Sequence, residues 1–292
     1  MNGRTINKTM DREDLDGDEA SAIVDELNVL IEELRARNLR VSSWYGRFDL
    51  TGDPRSFEWI NRGYEYRGVD GAADDRRFPW FLYWEIVWVM LNNEFKRGDR
   101  VLDLGGSSSL FSYYLAHIGC DVTAIDLQRD LVNNGNAVSK QMGWRLKNHV
   151  MDMRLMALDS KFDHITSLCV YEHIPIDDRV AVNRGVRDLL VEGGTFSITF
   201  DYRNPCTSAQ LSTPRDVYEQ FVVPSGLQVR GNTDFYDNNR NYLLQPFFSS
   251  RRLWMCKAIS VAKGHFGLRE FFSTKDCNDY TFGALFLEKG RE

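Results

Sequence analysis

The stretch VLDLGGSSSLFSYYLAHIGCDVTAIDL, residues 101–127, decides how the chain is read. An apolar run ends at Asp103 and the pair Gly105-Gly106, a helical stretch follows, and beyond Gly119 a second apolar run ends at Asp126. Strand, turn, helix and second strand in that order form the repeating unit of a parallel α/β sheet. Such a turn gathers backbone N–H groups and a positive helix end at one point, a natural seat for a ligand. A dinucleotide would need G-x-G-x-x-G, but the pattern that starts at Gly105 meets Ser107 and Leu110. Asp103, two residues before Gly105 at the strand end, is expected to face the same crevice. There it repels a pyrophosphate and attracts an ammonium or sulfonium centre.

The same alternation runs outward from this unit. Strands are expected at 100–105, 120–126, 147–153, 162–170 and 195–202, with a last one at 280–289, and helices at 109–117, 129–142 and 177–191. Gly119 and Gly193-Gly194 fall where helices should end. After residue 203 the pattern loosens. Residues 213–223 look helical, with Pro214 in the first turn, and 232–279 give no clear period.

The chain has 292 residues, 43% of them apolar, enough for one large α/β domain with an added cap. Its net charge of −6 lacks the basic excess that tracks a phosphate backbone, so nucleic acid is not an expected partner. Cys120, Cys169, Cys206, Cys256 and Cys277 are scattered, without metal-ligand spacing, and read as thiols of a reducing cytoplasm. The acidic first twenty residues have no apolar core of a secretory signal and read as a disordered lead-in. Residues 78–91 are too short for a membrane span and carry Glu85, so they read as a buried helix. Residues 21–38 form an amphipathic helix outside the main core, whose exposure would allow a homodimer. Residues 42–77 mix aromatics, glycines and charges into an irregular cover. The expected division is therefore 1–77 as lead-in, helix and cover, and 78–292 as core, with 203–279 on the substrate side.

Asp103-Leu104-Gly105-Gly106-Ser107-Ser108-Ser109 resembles the first motif of the class I S-adenosylmethionine-dependent methyltransferases, approximately (D/E)-x-G-x-G-x-G, with serine at two glycine positions. FDHITSLCVYEHIP, residues 162–175, resembles the fourth motif in the ubiquinone-biosynthesis-like branch, and residues 189–200 resemble the turn into the fifth strand. The resemblance covers about residues 78–202. It implies a doubly wound, mostly parallel seven-stranded Rossmann-like sheet, S-adenosyl-L-methionine as cofactor and a small-molecule methyl acceptor. It also implies a cofactor set of Asp103, Gly105, Gly106, Ser107, Ser109, Asp126, Leu127, Asp152, Met153 and Cys169. In that set Asp126 takes the ribose hydroxyls, and Asp152 with its neighbour meets the adenine.

His173, just past the fourth strand, has the pKa range of a general base and is the candidate catalytic residue; it also fits a structural hydrogen-bonding role. Glu172 beside it reads as a solvated or supporting acid. Tyr45, Tyr64, Tyr66 and Trp80 are candidates for lining the acceptor pocket, where ring faces favour cations; large side chains of this kind also simply fill cores. Direct methyl transfer requires no metal. Two rivals stay open: a methyltransferase-like interaction protein without turnover, and a nicotinamide-dependent oxidoreductase.

Overall fold

A computed structural model describes residues 5–42, 80–204, 211–243 and 279–291. Four parallel strands form its centre: β2 (Arg100–Leu104), β3 (Asp121–Asp126), β4 (Leu146–Val150) and β5 (Phe162–Leu168), with β6 (Leu190–Tyr202) parallel beside β5. β9 (Asp279–Glu288) runs antiparallel to β6, and β1 (Lys8–Thr9) pairs antiparallel with β9. The order across the sheet is β1-β9-β6-β5-β2-β3-β4, seven strands, as the sequence resemblance implies.

β2 is buried at Val101, Leu102, Asp103 and Leu104 in succession, the run of a strand covered on both faces. Alternate residues feed two cores. Val101, Val122, Ala124, Phe282 and Phe286 meet α1 (Asp18–Ala36), α2 (Trp80–Leu91) and α3 (Leu110–His117) on one face. Leu102, Leu104, Ile165, Phe196, Ile198 and Phe200 meet α5 (Ile176–Leu189) and residues 211–235 on the other. α4 (Arg129–Met142) packs on β4 and stops at Gly143, whose φ of 70° is the left-handed cap.

Residues 5–16 depart from the expectation of a disordered lead-in. They are ordered because α2 and β9 offer them partners. Trp88 Nε1 donates to Ile6 O (2.9 Å), Trp84 Nε1 donates to Asp14 Oδ2 (2.8 Å), and Lys8 pairs with Asp14 at 2.6 Å. The outer edge of β9 is thus tiled by three short pieces: β7 (Gln228–Val229) against Glu288 and Leu287, β1 against Ala284 and Gly283, and β8 (Tyr242–Leu243) against Tyr280 and Asp279. Covering an open edge removes a template for aggregation.

α1 also sits differently from its expected place. Leu27, Leu30, Ile31 and Leu34 are buried in the same core as α2 and α3, so the helix belongs to the main core rather than lying outside it. The strand expected at 147–153 ends at Val150, and Asp152 caps a 3-10 turn at Met153–Leu155. Gly193, with φ 74°, lies inside β6 rather than at a helix end, where its N–H donates to Lys289 O (2.9 Å). The helix expected at 213–223 is a composite of α6 (Pro214–Val217), a wide π turn (Tyr218–Val222) and α7 (Val223–Ser225).

Candidate functional site

The glycine loop closes over Asp103. Its carboxylate is 2% exposed, accepting from Ser112 Oγ at Oδ2 (2.6 Å) and from Thr166 Oγ1 at Oδ1 (2.9 Å). A Cβ on Gly106 would stand 1.7 Å from Oδ2, so only glycine lets the backbone pass there. Burial raises the Asp103 carboxyl to about 6, against the lowering effect of the two hydroxyls; Asp126 adds a smaller rise. The side chain therefore lies under the loop, holding it, rather than facing openly into the crevice as expected.

The serines divide the remaining work. Positive φ falls on Gly105 (80°) and on Ser108 (63°), not on Ser107 or Ser109. A left-handed serine costs about 1 kcal/mol, and Ser108 is anchored by its Oγ, which donates to Leu131 O (2.6 Å) and accepts from Asn134 Nδ2 (2.9 Å). Ser109 caps α3 by accepting from Ser112 N (3.0 Å). Ser107 Oγ is buried without a hydrogen-bond partner. Ser42 N donates to Ser108 O (2.7 Å), so the chain leaving α1 lies directly on this loop.

At the end of β3, Asp126 is largely buried. Its Oδ1 accepts from Gln128 N (2.8 Å), and burial raises its pKa. Leu127 next to it is 67% exposed, an apolar surface just past the end of β3. Met153 is buried. Asp152 is engaged by Arg154, which donates Nε to both carboxylate oxygens (3.0 Å) and Nη2 to Oδ2 (2.6 Å) and holds the carboxyl below its usual range.

The ends of β5 and β6 carry a buried group of acids. Cys169 Sγ and one oxygen each of Glu172 and Asp201 lie within 4.8 Å of one another, a donor set of metal-ligand type and the only such grouping found among the described residues. Glu172 is 1% exposed, which rules out the solvated acid and leaves the supporting one of the two expected roles: Oε1 accepts from Asp201 N (3.2 Å) and Oε2 has no hydrogen-bond partner. Asn204 Nδ2 donates to Asp201 Oδ2 (2.6 Å), and Thr199 Oγ1 donates to Glu85 Oε1 (2.5 Å). Burial raises Glu85 well above its ordinary value and lifts Glu172 and Asp201 to about 7, the charge on Glu172 pushing Asp201 further.

His173 is 55% exposed, with Nε2 3.8 Å from Glu172 Oε1, so it forms the accessible end of this acidic group. A Cβ on Gly105 would stand 2.6 Å from Val170 Cγ1, which places the Cys169–His173 segment against the glycine loop. Asp103, Gly105, Gly106, Ser107, Ser109, Asp126, Leu127 and Cys169 thus line one end of the sheet with His173. Trp80 does not join the accessible surface: it is buried and meets Tyr242 edge-on at 5.1 Å. Tyr45, Tyr64 and Tyr66 lie outside the described residues. Sequence reasoning missed Asp201, Asn204 and the acidic role of Glu85. The available signal was a single acid within the apolar run of α2, and a second where β6 ends.

The chain resembles known methyltransferases in sequence over part of its length and in fold. The model of the methyltransferase domain family matches residues 101–194. The ubiquinone biosynthesis O-methyltransferase of Xanthomonas campestris pv. campestris (strain B100) is 33% identical over 131 residues, 44% of this chain and 54% of the relative. That of Xanthomonas oryzae pv. oryzae (strain PXO99A) is 35% identical over 133 residues, with the same coverage. The chain spans about half the length of these curated relatives. Among solved structures, a Galdieria sulphuraria protein assigned as a sarcosine dimethylglycine methyltransferase superposes with TM-score 0.51 at 13% identity, covering 75% of this chain and 88% of that one. A coclaurine N-methyltransferase superposes with TM-score 0.50 at 12% identity, covering 75% of each chain, and carries the same fold.

Residues 101–194 thus match a methyltransferase domain, and the sheet carries the strand order that the resemblance to the class I S-adenosylmethionine-dependent methyltransferases implies. Over 131 to 133 residues the chain's sequence is similar to ubiquinone biosynthesis O-methyltransferases.

Proposed function

We propose that this protein transfers a methyl group from S-adenosyl-L-methionine to a small-molecule acceptor in the cytoplasm. The observation that carries the reading is the meeting, at one sheet end, of the Gly106 backbone packed on Asp103, the Asp126 carboxylate and the exposed Leu127 side chain. These suit the amino-acid, ribose and adenine parts of that molecule in turn. When bound, it supplies a methyl group on a positively charged sulfur.

The chain's own residues then have distinct tasks. Loop N–H groups and the N-terminus of α3 hold the carboxylate end. Asp126 accepts the ribose hydroxyls, and Leu127 shields one face of the base. The buried carboxylates of Asp103, Glu172 and Asp201 favour positive charge nearby. His173 takes the proton that the acceptor loses, with Glu172 behind it. Holding the nucleophile in line and excluding water does most of the rest. The name borne by the curated relatives makes a hydroxyl the first acceptor to test.

Calorimetry with S-adenosylhomocysteine and NAD, followed by labelled methyl transfer to catechol, to amines and to RNA, tests the reading. Binding of S-adenosylhomocysteine alone with label on a small molecule supports it. Binding of NAD alone, no binding of either, or label on RNA alone overturns it.

A further inference from the structure

Arg179 stands where helix chemistry disfavours it. It lies in the first turn of α5, beside Asp177 and Asp178, where the helix end is already positive. It is also 0% exposed, the most costly place for a guanidinium without partners. Side chains on a helix lean back toward its N-terminus, and this one reaches back over the segment that precedes α5. Nη2 donates to Glu172 O (2.8 Å) and Nε donates to Ile174 O (2.9 Å), the two carbonyls that flank His173. Nη1 donates to Gln220 Oε1 (2.8 Å). The guanidinium lies 5.6 Å from the Tyr171 ring and 5.0 Å from that of Phe221.

Gln220 and Phe221 are adjacent residues of the π turn in the region that follows β6. Both serve the same guanidinium at the place where the helix widens, and single π turns of this kind recur at functional sites. One planar fork therefore ties together three pieces: the start of α5, the backbone on either side of His173, and the segment after β6.

We propose that Arg179 is the positioning residue of the Glu172–His173 segment, and that Gln220 couples the acceptor-side region to His173 through it. A lysine cannot reproduce this, because its single ammonium reaches one carbonyl well and has no planar fork. Arg179 acts through the backbone that it holds, by fixing where the imidazole stands relative to Glu172. The catalytic half of the inference rests on the methyl-transfer reading above, whereas the positional half does not.

The test uses the full chain with Arg179→Lys, Gln220→Leu and Glu172→Gln. It reads the His173 ring signals by nitrogen-15 NMR, S-adenosylhomocysteine affinity by calorimetry, and methyl transfer to catechol. In Arg179→Lys the His173 ring signals shift, as they do in Glu172→Gln. Turnover falls about tenfold or more, while the KM for S-adenosylmethionine and the affinity for S-adenosylhomocysteine stay within about twofold. Gln220→Leu gives the same pattern to a smaller extent. It also carries the test if Arg179→Lys does not fold. A folded variant whose His173 signals match wild type overturns the proposal, as does turnover within about twofold of wild type. If the wild-type protein binds no S-adenosylhomocysteine, the methyl-transfer reading fails on its own, and the His173 spectra still decide the positional claim.

Discussion

Asp103→Asn should make the protein more stable at neutral pH, against the usual effect of changing a buried residue in a functional loop. Asp103 is 2% exposed, and burial raises its carboxyl from 3.8 to about 6. Each pH unit of such a rise is worth about 1.36 kcal/mol, so holding the charged form in the folded protein costs about 3 kcal/mol. For an acid raised on folding, this stability is present below the unfolded value and is lost as pH climbs through the folded one. The loss therefore develops between about pH 4 and pH 7. Asparagine keeps the size and removes the charge, but Ser112 and Thr166 both donate to the carboxylate, so one hydroxyl must reverse to accept from the amide. That exchange costs about 1 kcal/mol at every pH, leaving a net gain of about 2 kcal/mol near neutral pH and a net loss of about 1 kcal/mol near pH 4. Urea unfolding followed by tryptophan fluorescence at several pH values measures it. Glu85, Glu172 and Asp201 titrate in an overlapping range, so the quantity to read is wild type minus variant at each pH. A difference that does not change with pH would refute the reasoning.

Three further outcomes are expected. Gly106→Ala drives a methyl group to 1.7 Å from a carboxylate pinned by two hydroxyls. It should cost about 1–3 kcal/mol in thermal unfolding and abolish S-adenosylhomocysteine binding, and a variant with normal stability and binding would show that the loop yields. Asp126→Ala should weaken S-adenosylhomocysteine binding by about 1–3 kcal/mol, the range for hydrogen bonds to a charged group, and an unchanged Kd in a folded variant would remove the ribose assignment. Asn7→Ala takes away an amide that donates to Arg230 O (2.8 Å) and Asn232 O (2.7 Å) and accepts from Phe286 N (2.8 Å). With Phe286 N buried and the two carbonyls part-buried, a loss of about 2 kcal/mol in chemical unfolding is expected; a loss near zero would mean that the N-terminal segment is not needed to cover β9.

Periodicity and turn chemistry are local, and what they determine was legible in the sequence. The alternation of apolar runs with helical stretches gave the parallel sheet, and 129–142 matches α4 at both ends because Gly143 stops the helix by its own backbone preference. Asp103, the glycine pair and Asp126 marked the ends of β2 and β3 for the same reason, since each stands where a strand gives way to a turn. Ser108 shows the limit: its left-handed backbone rests on Leu131 O and Asn134, partners more than twenty residues away.

The tertiary structure decided what depends on distant partners. Residues 5–16 looked disordered because their own composition buries little; they are ordered by tryptophans of α2 and by the open edge of β9. Glu172 looked solvated beside an exposed histidine, yet its environment is set by Asp201 at the end of β6 and by Cys169, and burial turns it into part of a proton-holding acidic group. Arg179 was one charge among several in a helical stretch. Only the folded chain brings the carbonyls of Glu172 and Ile174 and the side chain of Gln220 around it, because hydrogen bonds to a guanidinium are made in space and leave no period in the sequence.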